Sequence, residues 1–206
     1  MSEKSDFLKQ DAEREQDIQN RIKEVEDILG KLPGYLEKVS VLDGFKEVIT
    51  LAVKSFEFCK TQKKDPAAGM YADMLENLEY KAKELLKAYY AARFREIIAP
   101  GYVAGDNLTT FVKTSIGVLR EQGIELRDLG LSSNELDSLN RKVTCGFLKL
   151  ALREVPWEEA GMRKAFYNKF LDMQRDFKFT AEELGLSVKE FADLIDVAAE
   201  STKYIN

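Results

Sequence analysis

The chain has 206 residues, of which 45% are hydrophobic and 33% are charged, and its net charge is -5. This composition is typical of a folded protein and excludes an intrinsically disordered chain. Four prolines and 12 glycines are too few for the many turns of an all-β fold, and the acidic balance argues against a protein built mainly to coat nucleic acid.

The sequence contains no histidine. Its absence removes the commonest general base and transition-metal ligand, and with them every Ser–His or Cys–His catalytic pair. Cys59 and Cys145 are too far apart for a CxxC motif, so zinc is disfavoured and reduced thiols in a cytoplasmic protein are expected. We therefore expect no cofactor and no catalytic residue, and we disfavour an enzyme. A carboxylate site for Mg²⁺ or Ca²⁺ stays open as an alternative.

The N-terminal region is predicted to form a helix over residues 3–30, ended by Leu32-Pro33-Gly34. The first twenty residues contain no apolar run. We therefore expect neither a signal peptide nor a membrane span there. Apolar residues then step alternately by four and three, which indicates a short coiled-coil seam. This candidate interaction seam consists of Ile18, Ile22, Val25 and Leu29. Two heptads are too short to be stable alone, so the seam is expected to pack on another helix, in the same molecule or in a second copy.

A second helix is predicted from the apolar stripe between Phe45 and Phe56, and Asp65-Pro66 then predicts the start of a helix that continues to Ala99. This long helix has an apolar stripe from Tyr71 to Ala92. Aromatic and basic residues share another of its faces, namely Tyr80, Lys83, Lys87, Tyr90 and Phe94. Such a face can hold single-stranded nucleic acid or a phosphorylated ligand. The favoured alternative is that its lysines only cover aromatic side chains at the edge of a core.

The clearest break in the chain is Pro100-Gly101 with the residues that follow it. It predicts an N-terminal helical subdomain over residues 1–100, a linker over 101–107 and a C-terminal helical subdomain over 108–206. Whether these are one domain or two is left open. Further helices are predicted near 108–122, 133–154, 158–177 and 188–203, with short turns around 125–129 and 181–184. The fold class is all-α, a multi-helix bundle of seven to eight helices.

The C-terminal half contains two similar segments, because residues 111–139 align with residues 166–194 at a spacing of 55. Both include the sequence LGLS followed by glutamate three residues after the serine. Glycine ends a helical turn in the left-handed conformation, serine caps the next helix, and glutamate closes a capping box. The predicted structural corners are Gly130, Ser132, Glu135, Gly185, Ser187 and Glu190. An internal duplication explains the likeness, and so do two ordinary capped corners.

The second corner, TAEELGLSVKEFADLI, resembles a helix-turn-helix motif over about twenty residues. Its second helix offers Lys189 among Glu190, Asp193 and Asp196, which is the wrong charge for contacts with phosphates and base edges. A structural corner is therefore the favoured interpretation.

Three functions follow from these patterns, in order of preference. The first is a non-enzymatic helical protein-interaction module, a scaffold, adaptor or regulatory subunit with a protein partner or self-association. The second is a nucleic-acid-associated regulator that uses the corners or the basic–aromatic face. The third is an enzyme that works without histidine.

Overall fold

The computed structural model describes residues 3–40, 45–102 and 107–203, and 84% of the chain is helical. No strand occurs among the described residues, so the all-α prediction is confirmed. The eight α-helices described are α1 (Glu3–Val39), α2 (Phe45–Gln62), α3 (Ala72–Ile98), α4 (Leu108–Glu121), α5 (Ser133–Glu154), α6 (Ala160–Phe177), α7 (Ala181–Leu184) and α8 (Val188–Lys203). Two 3-10 turns, Ala68–Met70 and Leu126–Leu129, precede α3 and α5.

The chain divides into two compact units, each discontinuous in sequence. The first contains Met1–Arg93 and Val118–Gly130, and the second contains Phe94–Gly117 and Leu131–Asn206. With a linker at 101–107, residues 118–130 would belong to the predicted C-terminal subdomain. The contacts that residues 118–130 make instead group them with the first unit. Residues 103–106 of that linker lie outside the described residues.

In the first unit, α1 is longer than predicted, because it continues through Pro33 to Val39. The predicted break at Leu32-Pro33-Gly34 is therefore wrong. Proline removes one backbone hydrogen bond from a helix interior, which usually bends or ends the helix. Here Leu32 and Val39, on either side of the proline, are both buried, and this burial offsets the missing bond.

The start predicted for α3 at Asp65-Pro66 is also wrong. Asp65 instead forms a tight turn that precedes the 3-10 turn: its Oδ1 accepts a hydrogen bond from the Ala67 amide at 3.0 Å, and its carbonyl oxygen accepts one from the Ala68 amide at 3.0 Å. The helix begins at Ala72, after Tyr71, which is buried. Further on, the predicted stripe packs inward as expected: Leu75, Leu78, Ala82, Leu85 and Tyr89 are all buried.

In the second unit, the predicted helix 133–154 coincides with α5, and the prediction of 188–203 coincides with α8. One apolar cluster, formed by residues of α5–α8 and the turn before α7, holds this part together. Its buried members are Leu148, Phe166, Phe170, Phe179, Leu184 and Ala198. Three of its rings contact one another in a row. Phe166 stacks on Phe170 with the ring centres 6.1 Å apart, and Phe170 lies edge-on to Phe191 with the centres 6.4 Å apart.

The proline inside α1 gives a direct test of the fold. Pro33→Ala restores an amide donor in the helix, and we expect the free energy of unfolding to rise by about 1–3 kcal/mol. Gly34→Ala is the matched control. No atom lies within 4 Å of the position its Cβ would take, and the gain expected from helix propensity alone is about 1 kcal/mol. Urea unfolding measures both; a destabilised Pro33→Ala variant would show that α1 ends at Pro33.

Candidate interaction surfaces

The seam residues of α1 lie in the first unit, where the chain itself covers them. Val25 is 0% exposed, Ile18 is buried, and Ile22 and Leu29 are partly buried. Helix α1 packs against α2. The seam therefore has its apolar contacts within the molecule, and little of it is left for a second copy.

A polar network that the sequence did not reveal fixes the same helix. The Arg21 guanidinium lies 3.0 Å from Asp17 Oδ2 and 3.3 Å from Asp65 Oδ2, and it also donates to Gln62. The Tyr71 hydroxyl donates to Asp65 Oδ2 at 3.0 Å. The Ala67 amide, the Tyr71 hydroxyl and Arg21 lower the pKa of Asp65, the amide contributing most. The network ties α1 to the turn before α3.

The seam can be tested by placing a charge in it. Val25→Asp puts a carboxylate at a fully covered position, and we expect a loss of roughly 3–5 kcal/mol in the free energy of unfolding. Lys23→Asp, on the exposed side of the same helix turn, is expected to change stability little. Sedimentation should give both variants the mass of the wild-type protein. A lower mass for Val25→Asp with an unchanged melting temperature would instead identify the seam as an interface between copies.

The basic–aromatic face of α3 is mostly covered and mostly neutralised. Tyr80 is 63% exposed, but Tyr90 and Phe94 are buried. Lys83 lies 3.4 Å from a Glu79 carboxylate oxygen, and Lys87 lies 2.8 Å from Glu84. Of the five residues of this face, one aromatic ring, Tyr80, is exposed, and both lysines are paired with carboxylates. A single-stranded nucleic acid needs several exposed rings beside unpaired cations.

A polar cleft of about 570 Å³ lies in the first unit, beside α2 and α3. Lys63 forms an ion pair with Glu79 at its wall. Cys59 also lines the cleft, and burial raises the pKa of its thiol to about 11. At neutral pH the thiol is therefore protonated and a poor nucleophile. Carboxylates and ammonium groups both line the cleft, so the lining favours neither a cation nor an anion.

The first corner contains the helix cap that the sequence predicts at Ser132. Gly130 is left-handed, with φ of 64°. The Ser132 hydroxyl accepts from the Glu135 amide at 3.3 Å, and the Ser132 amide donates to Glu135 Oε2 at 2.7 Å. Arg95 adds a further contact, because its Nε lies 2.9 Å from Glu135 Oε1. The Ser132 backbone amide and then the Arg95 guanidinium lower the pKa of Glu135 to about 2.

The second corner has the same local geometry. Gly185 has φ of 71°, and Ser187 exchanges the equivalent bonds with Glu190 at 3.2 and 2.8 Å. One turn earlier, Thr180 and Glu183 form another capping box around α7. Hydrogen bonds from the hydroxyl and amide of Ser187 lower the pKa of Glu190. Both corner carboxylates thus bind backbone, which is the role of a cap and not of a DNA contact.

Arg141 of α5 binds the second corner, a contact that no sequence motif indicated. Its guanidinium meets the Glu183 carboxylate with two bonds, of 3.0 and 2.8 Å, and donates to the carbonyl oxygens of Phe177 and Lys178. It also lies 5.0 Å from the centre of the Phe179 ring. One side chain therefore joins α5 to both ends of the connection between α6 and α7.

The second unit leaves many apolar side chains only half-covered. Around its cluster, Trp157, Tyr167, Leu171, Leu194 and Ile195 are partly buried. Four large apolar side chains of α5, α6 and α8 are exposed: Phe147, Met162, Val188 and Val197. We take these exposed and half-covered apolar groups of α5, α6 and α8 as a candidate interaction surface. The sequence alone does not reveal this surface, because helical periodicity gives the apolar positions but not the depth to which each is covered.

Comparison with protein-family models, curated proteins and solved structures finds no match for this chain. Among the described residues, no helix is long and apolar enough to cross a membrane. In the same part of the chain, no three cysteine or carboxylate side chains group as a metal site would require.

The corner caps are testable by substitution. Ser187→Ala removes the hydroxyl that accepts the Glu190 amide, and we expect a loss of about 1 kcal/mol in the free energy of unfolding. Ser132→Ala is expected to cost a similar amount. Ser201→Ala, which removes an exposed hydroxyl near the C-terminal end of α8, is the control. Equal unfolding energies for all three variants and the wild type would contradict the capping assignment.

The pKa of Glu135 predicts an acid-sensitive contribution to stability. Its folded pKa of about 2 lies below the ordinary value of 4.5, so the contribution is complete above pH 4.5 and is lost as the pH falls towards 2. We expect urea midpoints of the wild type to fall across this window more steeply than those of Glu135→Gln. Asp137→Asn, an exposed carboxylate on the same helix, is the control. Parallel curves for the wild type and Glu135→Gln would refute the prediction.

Proposed function

We propose that this chain is a non-enzymatic helical protein-interaction module that binds a protein partner through α5, α6 and α8. It would serve as a scaffold, an adaptor or a regulatory subunit. The supporting observation is the shallow burial of apolar side chains in these helices. A partner helix that covers them would gain about 25 cal/mol for each Å² of apolar surface removed from water.

Helices α3 and α8 differ in how deeply their apolar residues are buried. Along α3, the leucines at positions 75, 78, 85 and 86 are all buried. Helix α8 is strongly amphipathic, yet Ala198 is its one buried apolar residue among those with described side chains. Its larger residues Phe191, Leu194 and Ile195 are only partly buried, and Val188 is 81% exposed. An apolar face of this kind supports a binding role.

We also propose that the partner site lies on a duplicated structure, in which 111–139 and 166–194 are copies. Left-handed residues recur at the 55-residue spacing, with φ of 67° at Gly123 and 51° at Lys178. Lysine rarely adopts this conformation, so its presence at the position of a glycine supports a common origin. The buried pairs Ile124/Phe179 and Leu129/Leu184 recur at the same spacing.

The two free thiols support our proposal of a reducing, cytoplasmic location.

The test is capture of the partner by the tagged full chain, with matched surface variants. Val188→Asp and Val197→Asp place charges on the exposed apolar surface of α8. Met70→Asp is the control, because Met70 is 71% exposed but lies in the first unit. We expect a specific partner to be retained by the wild type and by Met70→Asp, and to be reduced about tenfold or more by the α8 variants. Loss of the partner in all three variants, or no partner with the wild type, would reject the proposal.

A further inference from the structure

We draw no further inference here: the strongest candidate, the incompletely buried apolar face of α8, belongs to the surface already proposed as the partner site, and nothing in the structure shows what covers it.

Discussion

The contact between Arg141 and the connection from α6 to α7 orients the corner around which the apolar cluster of the second unit packs. A helix end leaves carbonyl oxygens without intrahelical partners, and here the last carbonyl of α6 would be one of them. Arg141 pairs with it and neutralises the Glu183 carboxylate with the same planar group. Lysine could not replace it, because a single ammonium cannot form the two parallel bonds to Glu183 and stack on Phe179 at once. The corner between α6 and α8 is thus fixed relative to α5.

Most charged side chains in the described contacts serve the fold in the same way. Arg95 reinforces the cap at Glu135, and Lys142 donates to the Ala99 carbonyl at 2.9 Å, just beyond the C-terminal end of α3. In the first unit, Arg21 binds the carboxylates of Asp17 and Asp65. A basic side chain that is already bound to a carboxylate or carbonyl oxygen of the protein has lower affinity for an external phosphate or substrate.

The two units differ in how they use apolar residues. The leucine-rich face of α3 is covered, whereas α8 has a similar periodicity and covers its apolar face only in part. The difference lies in the surroundings of each helix and not in its pattern. Incomplete burial of apolar side chains is therefore the observation that supports our proposal of a partner site in the second unit.

Local sequence determined the helices and their corners, because periodicity, left-handed glycines and capping boxes act over three to five residues. It therefore predicted α5 and α8 to the residue and located the caps at Ser132 and Ser187. It misplaced the ends of α1 and α3, where burial of Val39 and of Tyr71 outweighed the signals at Pro33 and Asp65. The Arg141 contact and the bonds from Arg21 to Gln62 and Asp65 join residues 36 or more positions apart. The exposure of Val188 depends on how deeply neighbours cover a side chain. Only the tertiary structure decided these, since a helical pattern gives the direction of an apolar face but not what lies opposite it.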